Sequence, residues 1–136
     1  MIRRVQTTWR VAAVTTLAVL ALTGLQLALP RGALADTYER GVAALDAGRY
    51  DEALFHISLL AANDDPRAQY TMGVMYRRGL GVVQDDREAL LWYLSAAEAG
   101  HMLGQYAAGL AFDRGIGTDR DIANALHYLG EAALQG

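Results

Sequence analysis

The side chains able to do chemistry are few and scattered. The 136-residue chain has no cysteine and no lysine. Without cysteine there is no thiol nucleophile, thiolate metal site, disulfide or cysteine-linked lipid anchor. The histidines His56, His101 and His127 are never four residues apart, and no H-E-x-x-H pattern exists. The two serines, Ser58 and Ser95, fall inside predicted helices rather than on a strand-to-helix elbow. Three acidic groups invite acid–base or hard-cation chemistry: Asp64-Asp65, Asp85-Asp86, and Asp113 with Asp119 and Asp121. Asp65, Asp85 and Asp121 stand at predicted helix starts, however, where a carboxylate caps free N–H groups and meets the positive end of the helix dipole. The calcium-loop spacing D-x-[DN]-x-[DN]-G is absent. Gly79-Leu80-Gly81 and Gly115-Ile116-Gly117 follow predicted helices, and no lysine is present to reach a phosphate. The expectation is therefore no enzyme: no catalytic residue, no metal and no cofactor.

The elements that would position these residues repeat. At an offset of 36, Tyr70 falls on Tyr106, Gly73 on Gly109, Tyr76 on Phe112, Gly79 on Gly115 and Gly81 on Gly117. Asp85 falls on Asp121, Ala89-Leu90 on Ala125-Leu126, Trp92 on Tyr128, and Ala96-Ala97 on Ala132-Ala133. Upstream, Tyr38 and Gly41 match Tyr70 and Gly73 at an offset of 32, and Ala53-Leu54 match Ala89-Leu90 at 36. The first copy thus has a connection four residues shorter, a tight turn around Gly48-Arg49. Each copy reads as two helices. In the second, Asp65 caps, Pro66 takes the first helical position and Gly79 ends the helix. Asp85 caps the next helix, with Glu88 completing a capping box. In the third, His101-Met102 replaces Asp65-Pro66, so the first helix has less capping.

The run from Ala68 to Asp85, followed by Ala89-Leu90-Leu91-Trp92-Tyr93 and Ala96-Ala97-Glu98-Ala99-Gly100, resembles a Sel1-like repeat, the 36-residue relative of the tetratricopeptide repeat. The third copy resembles it too, with Gly104 where alanine is usual and Phe112 where tyrosine is usual. The first copy is closer to an ordinary tetratricopeptide repeat. The resemblance implies an all-α fold, a short α-solenoid of three antiparallel helix pairs at about 36–65, 66–100 and 101–136. A cysteine-rich branch of such proteins is linked to β-lactam binding and hydrolysis. Its disulfide in each repeat has no counterpart here.

The first 35 residues read as a segment apart, a signal-peptide helix. Arg3, Arg4 and Arg10 precede an apolar run over 11–29, Pro30-Arg31-Gly32 breaks it, and Ala33-Leu34-Ala35 offers a small-residue cleavage site. The rival is an uncleaved membrane anchor through 11–29. Both place the remainder in the periplasm or outside the cell, secreted or held at the inner membrane. Residues 36–136 carry 8 arginines and all 15 acids, a formal charge of −7. That balance argues against nucleic acid as a partner.

Solenoids bind along the concave side lined by their first helices. The polar positions expected there are Glu39, Gln69, Thr71, Arg77, Gln105 and Arg114, with the arginines suited to a partner carboxylate. The last helix places Leu126, Leu129, Ala133 and Leu134 on or near a face that a fourth repeat would cover, and the expected cover is a partner, self-association or further C-terminal sequence. The leading expectation is an exported adaptor that binds a protein or peptide. The alternative is a periplasmic peptidoglycan- or glycan-binding protein or hydrolase, signalled by stacking on an exposed Tyr93 or Tyr106.

Overall fold

The computed structural model describes residues 31–136, which form six helices and no strand. They are α1 (Arg31–Asp46), α2 (Tyr50–Ala61), α3 (Pro66–Arg78), α4 (Asp86–Glu98), α5 (Met102–Arg114) and α6 (Ile122–Leu134). Each odd-numbered helix packs on the next to make a pair, α2 packs on α3, and α4 packs on α5. The first helices α3 and α5 also touch, as the inner helices of a curved stack do. The chain is thus an all-helical solenoid of three pairs. The expected leader lies outside the described residues, apart from the start of α1, which runs through the expected cleavage point after Ala35. No helix among the described residues is long and apolar enough to cross a membrane.

The helix starts follow from local chemistry. The Asp65 carboxylate accepts from the backbone N–H of Arg67 at 2.9 Å and of Ala68 at 3.4 Å, with Pro66 in the first helical position. Burial pushes this carboxyl up, but hydrogen bonds from the Arg67 side chain and N–H outweigh it and hold the net value below the ordinary carboxylate range. Asp85 accepts from Arg87 and Glu88, and Asp121 from Asn124. The capping box expected of Glu88 does not form. The Asp85 N–H donates instead to the Tyr76 carbonyl at 3.0 Å, and the Asp121 N–H to that of Phe112 at 2.9 Å. These bonds tie each second helix back to the end of the first, so the reciprocal carboxylate bond has no donor left to fill.

The start of α5 corrects a second expectation. His101 is itself a cap: its Nδ1 accepts from the Gly104 N–H at 3.2 Å. Only an unprotonated Nδ1 can accept. Burial pushes the pKa of the ring down; the nearby Asp65 works against this and Arg67 with it. The unfolded chain therefore binds this proton more tightly than the folded one. Stability is full above the ordinary histidine value of 6.5 and declines as the pH falls below it toward the lower folded value. Solvent screening limits the loss to about 1 kcal/mol. Urea unfolding from pH 7.5 to 5 should show this slope, and His101→Asp should flatten it.

Packing within each pair rests on one glycine. A Cβ at Gly41 would meet Ile57 Cδ1 at 2.6 Å, one at Gly73 would enter the Tyr93 ring, and one at Gly109 would meet Leu129 Cγ at 2.7 Å. Ile57, Tyr93 and Leu129 lie 36 residues apart, so the same slot holds a different filler in each pair. This explains why Tyr93 has no aromatic counterpart: the slot needs volume, not a ring. Between pairs, a Cβ at Gly104 would meet Ala96 Cβ at 2.7 Å, so the alanine usual at this position does not fit this α4–α5 contact.

Two buried clusters run across the pairs. One joins Ile57 and Leu60 of the first pair to Met72 and Met75 of the second. The other joins Leu90 and Tyr93 of the second to Ala108 and Ala111 of the third. The stacking shows in Leu90 and Leu126, which hold the same repeat position. Leu90 is 6% exposed beneath the third pair, whereas Leu126 is 68% exposed and Leu134 85% exposed. Leu90→Ala should cost about 2–4 kcal/mol by chemical denaturation, and Leu126→Ala less than about 1 kcal/mol.

Candidate functional site

Arginine is the only cation of fixed charge here, and half of the arginines in 36–136 are already paired. Arg40 bonds Asp36, Arg49 bonds Glu52, Arg67 bonds Asp65 and Arg120 bonds Asp113, at 2.6–3.4 Å. Arg67 also lies over the Tyr38 ring at 4.4 Å. Arg77, Arg78, Arg87 and Arg114 have no carboxylate partner among the described residues.

Two of these unpaired arginines share a cleft. Arg77 in the last turn of α3 and Arg114 at the end of α5 line a space of about 210 Å³ between the two first helices. Tyr70, Leu103, Tyr106 and Leu110 line it as well, and Tyr93 reaches it from α4. Tyr106 is 50% exposed; Tyr93 is only 5% exposed. Burial pushes the Tyr93 phenol up to about 12, with further upward push from Tyr70 and a smaller opposing pull from Arg77. The phenol is therefore protonated at neutral pH, and it has no hydrogen-bond partner among the described residues. A broader hollow of about 450 Å³ lies at the Gly48 turn, but its Arg49 is held by Glu52 at 2.6 Å.

The six expected binding positions divide. Arg77 and Arg114 converge on the cleft, and Glu39 is exposed on α1 away from it. Gln69, Thr71 and Gln105 are buried and do not present their side chains to a partner. The Thr71 hydroxyl donates to the Arg67 carbonyl at 2.8 Å and lies 3.3 Å from the Tyr38 hydroxyl. Gln105 donates to the Ala97 carbonyl at 3.5 Å and accepts from Gln135 at 2.7 Å. First helices press against the preceding pair, so these positions serve the stack. The sequence carried a signal for this: Gln69 and Gln105 are one residue type exactly one period apart.

Tyr70, Leu103 and Leu110 were not expected at the site, and Tyr106 was expected only as a stacking platform in the glycan-binding alternative. Tyrosines that recur with the period, as Tyr70 and Tyr106 do, are ordinarily core and inter-repeat packing residues. The same recurrence also puts one ring from each of two neighbouring pairs into the same groove. The stacking signal expected of Tyr93 fails because its ring fills the slot beneath Gly73. Among the described residues, no three His, Asp or Glu side chains gather to hold a metal ion.

Comparison with known proteins fits this architecture. The Sel1 repeat family profile matches residues 66–101 and 103–136, just over half of the chain. The first helix pair lies outside the matched residues. A Sel1 repeat protein from Oxalobacter formigenes is similar to this chain at 33% identity and a TM-score of 0.69, over 72% of this chain and 40% of that one. A protective antigen of uropathogenic Escherichia coli, which displays an SLR fold, is similar at 33% identity and a TM-score of 0.73, over 78% of this chain and 24% of that one. The chain therefore spans less than half the length of either. No curated protein matches it. Sel1 repeats commonly serve as protein-interaction modules. From the period in its sequence, the stacked helix pairs and the profile match, the protein belongs to the Sel1 repeat family.

Proposed function

We propose that the chain is an exported protein-interaction module without catalytic activity, and that it binds its partner on the face where α3 and α5 meet. The observation that carries this reading is the convergence of Arg77 and Arg114, both without ion-pair partners among the described residues, on one tyrosine-lined cleft. Arg40, Arg49, Arg67 and Arg120 are neutralised by neighbours, and the other two unpaired arginines, Arg78 and Arg87, lie singly outside the cleft. In the cleft two remain available beside apolar surface, the combination that anchors protein interfaces. The basic start, apolar run and small-residue cleavage pattern of residues 1–35 support export, with the domain in the periplasm or secreted.

Co-purification of the tagged chain from envelope extracts tests this reading. One stoichiometric protein partner is expected, lost when Arg77 and Arg114 are changed to glutamate. Capture of glycan and no protein would overturn it in favour of the exposed Tyr106 as a sugar platform. Retention of the same partner by the charge-reversed chain would move the interface elsewhere.

A further inference from the structure

The cleft has direction. Arg77 and Arg114 lie at the C-terminal ends of α3 and α5, while Tyr70, Leu103 and Tyr106 lie in the early turns of the same helices. Tyr70 and Arg77 are seven residues apart, about 10 Å along the helix axis. An extended polyproline-type chain brings every third side chain back to one face after about 9 Å. The two spacings agree.

Charge narrows the occupant further. Residues 36–136 carry a formal charge of −7, so a tract of acids would be repelled on approach. A single carboxylate is suited to two arginines without partners, and a last-turn cation by itself needs only its own helix dipole. Nothing about that dipole turns two such cations into one cleft. Arg114 is exposed and leaves the basic end open, so a bound chain can run on past it. That favours a side-chain carboxylate over a chain terminus. The unpartnered, nine-tenths buried Tyr93 phenol supplies a further donor in the wall.

We propose that the cleft holds an extended segment of a partner protein in which an Asp or Glu lies three residues from an aromatic or large aliphatic residue. The carboxylate sits between Arg77 and Arg114, and the apolar side chain rests against Tyr70, Leu103 and Tyr106. This rests on the protein-binding reading above and adds the chemistry of the bound segment.

The test uses the full chain in phospholipid nanodiscs and a fluorescein-labelled peptide, Phe-Pro-Pro-Glu, with both ends blocked. Saturable binding by fluorescence anisotropy is expected. Replacing Glu by Gln in the peptide should weaken it at least about tenfold, and moving the acid next to the Phe should do the same. Arg77→Gln and Arg114→Gln should each reproduce the loss with unchanged helical circular dichroism. Equal binding of the Glu and Gln peptides would overturn the proposal, as would no binding of either. Binding only of a Phe-Pro-Pro-Ala peptide with a free C-terminus would replace the side-chain carboxylate by a chain end. If no peptide binds while the co-purified partner is still lost on charge reversal, the interface stands and its proposed chemistry falls.

Discussion

Arg77→Glu combined with Arg114→Glu is expected to weaken partner capture at least about a hundredfold. Each change removes a donor fork and installs a repelling charge, and losing one charged contact at an interface centre costs about 2–5 kcal/mol. The fold should survive. Neither guanidinium has an ion-pair partner among the described residues, so the main structural loss is its interaction with the helix C-terminus, about 0.3–1 kcal/mol each. Isothermal titration with the co-purified partner, beside a urea melt of the same variant, separates the two effects. Arg78→Glu and Arg87→Glu are the controls. They reverse charges that are also unpaired but lie outside the cleft, and they should leave affinity within about threefold.

Gly117→Ala carries the largest expected structural effect. Gly117 has φ +73°, where an L side chain is strained, and its Cβ would fall on the carbonyl oxygen of Asp86 at the start of α4. The oxygen is a backbone atom and the position of a Cβ is fixed by its own backbone, so no rotamer change relieves the contact. The expected loss is about 3 kcal/mol or more in a urea melt. Gly48→Ala separates the two causes. Gly48 has φ +71° but nothing within 4 Å of an added Cβ, so it should cost only about 1 kcal/mol. Equal losses at the two positions would show that the inter-repeat contact contributes nothing.

Much of the fold was legible because the solenoid writes itself in backbone-determining residues. Asp65, Asp85 and Asp121 begin helices, and Gly79 and Gly115 end them in left-handed geometry, as their types and period imply. The N-cap of α5 was not legible. Histidine is a cap only when its ring is neutral and turned toward the helix, and that depends on burial which the local sequence does not display. The missing capping box has a similar origin: the Asp85 N–H is taken by Tyr76, nine residues away.

The site was half legible. Arg77 and Arg114 were expected on the concave side as partners for a carboxylate, and both line the cleft. Gln69, Thr71 and Gln105 did not separate from them, because polarity says nothing about which side of a first helix meets the preceding pair. Tyr70 and Tyr106 were obscured by their own regularity. A residue that recurs with the period can pack against its neighbour and still show an edge to the groove, and Tyr106 does so at half exposure.

The backbone contact of Gly117 with Asp86 has a partner one repeat earlier. A Cβ at Gly81 would lie 3.0 Å from the carbonyl oxygen of Tyr50, at the start of α2. Each linker therefore touches the pair before it through main-chain atoms. The proposed recognition, by contrast, uses side chains of the first helices: Arg77 and Arg114 beside these linkers, and Tyr70, Leu103 and Tyr106 farther along the groove. On the proposed reading, the stacking of the pairs and the selectivity are held by separate sets of atoms. The groove can be refitted to a new partner, residue by residue, on a frame whose pitch those replacements do not alter.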